Sequence, residues 1–250
     1  MKTQRLAAML AMTAASLCAG QSAVTQKATV MVCMESDSHG NDMRALKMAV
    51  ATNGTPGMRQ AEAPKPESKI QVFVYNYDGV SSQTLAQAER TANRIYLYAG
   101  IKIQWLDCPL ASKDADQFPD CQVVPGPTRL ALRILSQSMA DRVRQTDGSF
   151  GFAMIPEDGS FAIMANVFSH DAEQLADRNG MRRGAMLGHL AAHELGHLLL
   201  GAGSHSSRGI MHVPWCVKEL ELITQGLMTF TPSEAERMRT NIQAREVTSR

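Results

Sequence analysis

The stretch from about Arg183 to Leu200 constrains the fold more than any other part of this 250-residue chain. Its spacing predicts a helix with leucine, alanine or glycine on most sides, and such a helix should be packed deeply in the core. An imidazole without a partner is costly to bury. This helix nevertheless carries His189, His193 and His197 together with Glu194, so the polar residues need an explanation.

His193-Glu194-Leu195-Gly196-His197 is an H-E-x-x-H motif. Residues i and i+4 lie on the same face of a helix, so His193 and His197 can offer two imidazole nitrogens to one metal ion. Glu194 lies beside them, placed to act on a water molecule rather than to bind the metal. We therefore expect a zinc site with His193 and His197 as ligands and Glu194 as the catalytic residue.

A catalytic zinc ion has three protein ligands and one open position. Gly201 and Gly203 can end the helix after Leu200 and turn the chain back, which makes His205 the preferred third ligand. Residues further along remain alternatives: His212, Glu219 and Glu221. His189 lies one turn before His193, but Leu190 would then replace the catalytic Glu, so we interpret His189 as a core histidine or as one that supports the ligands.

The hydrophobic pattern before this helix predicts an α/β fold. Ile70–Tyr77 and Ile101–Trp105 have the composition of strands, and a helical spacing from Leu85 to Ala99 separates them. Strand, helix and strand in this order form a βαβ unit, which implies parallel strands.

Further strands are predicted at Thr128–Leu135, Phe150–Ile155 and Phe161–Phe168. The turn at Pro156-Glu157-Asp158-Gly159 makes one of the last two antiparallel, and we expect it at the sheet edge. Thr231-Pro232-Ser233-Glu234 begins a last helix, to about Ala244. The fold class is thus a mixed, mostly parallel sheet with an antiparallel edge strand, an active-site helix and a small C-terminal helical subdomain.

The first 23 residues are typical of a secretory signal peptide, with Lys2 and Arg5 before the apolar run Leu6–Leu17. We expect cleavage rather than a stable membrane anchor, because the run is too short to span a bilayer; lipidation at Cys18 is an alternative. Residues 24–69 are interpreted as an N-terminal segment or pro-region with a linker, and residues 70–250 as the catalytic domain. The protein should therefore be secreted or periplasmic.

Four cysteines follow the signal peptide, and an even number in an exported chain suggests two disulfide bonds. Cys108 and Cys121 flank a polar loop and form the favoured pair, which leaves Cys33 with Cys216 by elimination. The formal charge of +1 gives no indication of a nucleic-acid partner. We expect a monomer that takes a peptide or protein substrate.

The motif followed by Gly201, His205 and Gly209-Ile210-Met211 resembles the metzincin zinc endopeptidases, in a secreted bacterial form. That family has H-E-x-x-H-x-x-G-x-x-H and a methionine-containing turn beneath the zinc. Here the glycine and the third histidine stand four and eight residues after His197, so the loop is two residues longer than in the family. The order of elements from Ile70 to Ala244 is similar too.

The resemblance implies a zinc-dependent endopeptidase that hydrolyses peptide bonds with Glu194 as general base. It also implies that Phe150–Ile155 is the strand at the cleft edge with which an extended substrate pairs. The alternative is a non-catalytic zinc-binding or peptide-binding domain outside the cytoplasm. An intact Glu194 favours the enzyme, because a purely structural zinc site has no use for it.

Overall fold

A six-stranded mixed sheet forms the centre of the computed structural model, which describes residues 24–28, 68–143 and 148–248. The spatial order of the strands is β1-β5-β6-β4-β2-β3. Their bounds are β1 Val24–Ala28, β2 Ser68–Asn76, β3 Ile101–Asp107, β4 Arg129–Leu135, β5 Gly151–Pro156 and β6 Met164–Phe168. The signal peptide and most of the N-terminal segment that the sequence predicts lie outside the described residues.

Six helices accompany the sheet within the described ranges. They are α1 Ser82–Tyr98, α2 Gln137–Val143, α3 Ser169–Arg178, α4 Arg183–Leu200, α5 Val217–Gln225 and α6 Pro232–Thr248. Helix α1 is capped at its start, where the Ser81 side chain accepts from the Thr84 amide at 3.2 Å. The predicted start of α6 is confirmed, since Glu234 Oε2 accepts from the Thr231 amide at 2.7 Å; the helix ends at Thr248, four residues beyond the predicted Ala244.

The predicted α/β class is confirmed by the sheet. Strands β2, β3, β4 and β6 are parallel neighbours, and β5 pairs antiparallel with β6. The prediction that this antiparallel strand lies at the sheet edge is wrong. The edge strand next to β5 is β1, which also pairs antiparallel, so β5 is the second strand from the edge. Sequence patterns did not indicate β1.

Helix α4 is buried along nearly its whole length, as the apolar sequence predicts. It packs against α1 at very close range, because a Cβ atom on Gly184 would lie 2.6 Å from the Thr84 carbonyl oxygen. A Cβ atom on Gly188 would likewise lie 2.7 Å from Thr91 Cβ. The Tyr96 hydroxyl of α1 donates to the Ala192 carbonyl at 3.0 Å. These contacts fix the rotation of α4 and therefore the direction of its histidines.

Cys108 and Cys121 form the predicted disulfide, with sulfur atoms 2.07 Å apart. Cys216 is disulfide-bonded as well; its expected partner, Cys33, lies outside the described residues. Disulfides are compatible with a location outside the cytoplasm. In the part of the chain that the structure describes, every helix is too short or too polar to cross a bilayer.

Candidate metal centre

Helix α4 carries two imidazoles that converge one turn apart. The Nε2 atoms of His193 and His197 are 2.8 Å apart, and both side chains are buried. This is the arrangement that the i, i+4 spacing predicts. It brings two ring nitrogens close enough to share one cation.

The other ring nitrogen of each histidine is held by the chain that follows the helix. His193 Nδ1 donates to the Ile210 carbonyl oxygen at 2.7 Å, and His197 Nδ1 lies 2.7 Å from Ser204 Oγ. Because a carbonyl oxygen only accepts, His193 must carry its proton on Nδ1, and its Nε2 has a free lone pair. With its proton on Nε2, His197 donates to this lone pair at 2.8 Å. With His197 in the same tautomer as His193, the two Nε2 lone pairs face each other and can be shared by one cation.

His205 completes the group. After α4 the chain turns at Gly201 and Gly203, whose φ angles of +86° and +65° favour glycine. The turn places the His205 ring centroid 4.8 Å from that of His197 and 5.6 Å from that of His193. One donor atom from each of the three histidines lies within 4.8 Å of the others. The longer loop therefore still delivers a third imidazole.

Met211 is buried and packs against α4 at Gly196, within the motif. A Cβ atom on Gly196 would lie 2.8 Å from Met211 Sδ and 2.9 Å from Phe230 Cε1. The glycine within the motif is therefore needed for the close approach of these two side chains. The Trp215 ring packs edge-on against His193, with centroids 5.8 Å apart. Apolar side chains therefore pack against α4 at Gly196, and an aromatic ring packs against His193.

Glu194 is fully buried, with an exposed fraction of 0%. It faces the beginning of β5, where a Cβ atom on Gly151 would lie 2.9 Å from its Oε1 atom. The glycine allows the backbone of β5 to approach the carboxylate. Glu194 therefore lies between the α4 histidines on its own helix and one end of a strand. That position suits a residue that acts on a molecule lying along β5.

Burial sets the charge state of the imidazoles. It lowers the pKa of His193 to about 3 and holds the pKa of His197 well below its usual value, with the neighbouring histidines lowering both further. Both side chains are therefore neutral at pH 7, which is the form that binds metal. His193 and His197 are buried and His205 is exposed, and together the three imidazoles could hold a metal ion.

The alternative third ligands do not join this group. His212 Nδ1 lies 3.0 Å from the Ser206 carbonyl oxygen, and its Nε2 is 3.8 Å from Glu219 Oε1. Glu219 instead accepts from the Cys216 amide at 3.0 Å and caps α5. Glu221 is exposed on α5. Among the described residues, the three-histidine group is the only one whose geometry suits a metal ion.

His189 is buried on α4, outside the group. Its Nδ1 atom donates to the Ala185 carbonyl oxygen at 2.8 Å. Burial lowers its pKa to about 4, so it is neutral at pH 7. It is therefore a neutral core side chain one turn from His193, hydrogen-bonded within its own helix.

Three residues at the site were not predicted: Ser204, Trp215 and Gly151. Ser204 adjoins His205, and a search for a hydrogen-bond partner of each ligand could have suggested it. The contacts of Trp215 and Gly151 depend on how distant segments pack, and no local pattern carries that information.

Comparison with known protein families finds no family that matches the chain, and comparison with curated proteins finds no similar sequence. What can be said of the site therefore comes from its own residues and geometry. They define a group of three histidines that could hold a metal ion, with a buried glutamate beside it.

Proposed function

We propose that this protein is a secreted zinc-dependent endopeptidase of the metzincin type. The observation that carries the proposal is the position of Glu194, which follows His193 directly on α4, is fully buried and has its carboxylate against Gly151 of β5. A site that only binds metal does not require a buried carboxylate at this point. A site that hydrolyses a bound peptide does.

Zinc is the metal that the donor set fits best. Three neutral imidazoles leave the fourth position of a tetrahedral ion open, as in catalytic zinc sites. When bound, zinc supplies a Lewis acid that polarises the scissile carbonyl and makes water more acidic. The ligands would be His193, His197 and His205, and Met211 packs against Gly196 between the two α4 ligands in sequence.

The chain's own contribution to hydrolysis is the transfer of protons. Glu194, as general base, accepts a proton from the attacking water as its oxygen bonds to the scissile carbonyl carbon. It then gives that proton to the amine nitrogen as the C–N bond breaks, so the carboxylate is regenerated. Ser204 and the Ile210 carbonyl keep the two α4 imidazoles in place throughout.

The experiment replaces Glu194 by Gln and measures zinc content together with chelator-sensitive cleavage of a mixed peptide pool. Because Gln has nearly the same shape but cannot accept a proton, the variant should keep about one zinc per chain and lose at least about 10²-fold in activity. Glu221→Gln, at an exposed position on α5, is the matched control and should cleave like wild type.

Two results would contradict the proposal. Full activity in Glu194→Gln would remove the residue from the mechanism. Stoichiometric zinc with no cleavage of any peptide by the wild type would favour a zinc-binding or peptide-binding domain instead.

A further inference from the structure

We propose that strand β1, Val24–Ala28, is an internal inhibitor that occupies the edge of β5 where an extended peptide substrate would bind. The inference rests on the proposed function, because only a peptidase would use this edge for substrate. It assigns a regulatory role to a part of the chain that lies far from the metal-binding motif in sequence.

Backbone pairing makes the two occupants mutually exclusive. One side of β5 pairs with β6, from Gly151 opposite Val167 to Met154 opposite Met164. The other side pairs antiparallel with β1, from Val24 opposite Pro156 to Ala28 opposite Ala153. A peptide that extends the sheet needs this second side, because each strand has only two edges. A substrate therefore has to replace β1.

The occupied edge leads directly to the proposed catalytic residue. Ala28 pairs with Ala153, which is two residues from Gly151, or about 7 Å along a strand. Gly151 in turn lies against the Glu194 carboxylate. The carboxyl end of β1 therefore points towards the metal centre, along the line that a bound peptide would follow.

The pairing of β1 is short and irregular, as a displaceable strand requires. It comprises five residues, and the register shifts between Gln26 and Ala28. Such a shift interrupts the hydrogen-bond ladder. By comparison, β2 pairs with β3 through seven consecutive residues. A longer peptide with a regular ladder can compete with so short a strand.

The test breaks the pairing without touching the metal centre. Thr25→Pro with Gln26→Pro removes two adjacent backbone N–H groups, at least one of which faces β5. Thr25→Ala with Gln26→Ala keeps both N–H groups and is the matched control. A chain that begins at Thr29 removes the strand altogether and serves if the proline variant does not fold. Zinc content and thermal melting are measured for each protein.

The proline variant should show a KM about tenfold lower than the alanine control, with kcat unchanged, if β1 is paired in about nine chains of ten. A labelled peptide of residues 24–30 should bind the proline variant about tenfold more tightly than the control. Equal KM values in the two variants would overturn the inference. So would an active alanine control beside folded proline and truncated chains that no longer cleave.

The two proposals fail in different ways. If the labelled peptide binds the proline variant but no form of the protein cleaves any peptide, the proposed function is wrong and the inhibitory role falls with it. If cleavage requires Glu194 and zinc, yet the labelled peptide does not bind and KM is unchanged, the peptidase stands and the inhibitory role of β1 is wrong.

Discussion

Ser204 is hydrogen-bonded to one histidine of the group that could hold a metal ion. Its Oγ atom lies 2.7 Å from Nδ1 of His197, and the side chain is buried. Hydrogen-bond partners of this kind fix the tautomer and orientation of a ligand. Ser204 directly precedes His205 in the loop after α4, so the segment that carries the third histidine also holds the ring of the second.

Ser204→Ala should weaken zinc binding by about 10- to 100-fold, because His197 loses the partner that orients its ring. Zinc affinity is measured by competition with a chromophoric chelator. Ser207→Ala, at an exposed position in the same loop, is the control and should bind zinc as wild type does. Equal affinities in the two variants would mean that the Ser204 hydroxyl does not position His197.

At the scale of elements, the contact between α1 and α4 depends on glycines. Gly188→Ala should lower the free energy of unfolding by about 1–3 kcal/mol, because the new methyl group would overlap Thr91 and the α1 backbone. This cost exceeds the gain of up to about 1 kcal/mol in helix propensity. Urea unfolding measures it. Gln83→Ala, on the exposed side of α1, should change stability by less than about 0.5 kcal/mol.

A carboxyl pair between α1 and β3 makes stability depend on pH. Burial, together with a hydrogen bond to Asp107 and its charge, raises the pKa of Glu89 from 4.5 to about 8. The folded state therefore binds a proton that the unfolded state has lost between these values. This contribution to stability is complete below about pH 4.5 and is lost as pH rises through about 8.

Glu89→Gln should remove that dependence, because the amide stays neutral at every pH. Relative to wild type, the variant should gain on the order of 1–2 kcal/mol in unfolding free energy between pH 5 and pH 8, after allowing for partial solvent screening. Urea unfolding at the two pH values gives the difference. Glu236→Gln, at an exposed position on α6, should show no such gain.

The helices and strands that the sequence predicted are those whose apolar residues recur at a regular spacing. Helix α4 was predicted over its full length because almost every position is apolar. Helices α3 and α5 were not predicted, since they bury few apolar side chains and their sequences are otherwise polar. Strand β1 pairs with β5 more than 120 residues away, so its position depends on tertiary contacts.

The three-histidine group shows the same difference between local patterns and tertiary contacts. The roles of His193 and His197 as neighbours followed from helical spacing, and the turn glycines correctly indicated that His205 would join them. The contacts of Met211 with Gly196 and of Trp215 with His193 required the packing of separate segments. Local geometry was therefore predictable where one helix sets it, and not where the fold brings segments together.

For the whole molecule, a metal ion would link the buried helix α4 to the loop that follows it. Two histidines of the group belong to α4 and the third, His205, to the loop, so a bound cation would hold the helix and the loop together only in the folded state. A ligand that binds only the native state stabilises it by about 2.7 kcal/mol at 100 times its Kd. For a chain of this size, that corresponds to a rise in Tm of about 5–10 °C.

His205→Ala should therefore lose most of the zinc-induced rise in Tm while keeping the Tm of the metal-free protein. The imidazole is on the exposed side of the group, so its removal leaves little of the core unfilled. His170→Ala, which removes an exposed imidazole from α3, is the control and should show the full rise. Melting curves with saturating zinc and with excess chelator measure both. An undiminished rise in His205→Ala would exclude it as the third ligand, because the remaining two imidazoles would then account for all of the linkage.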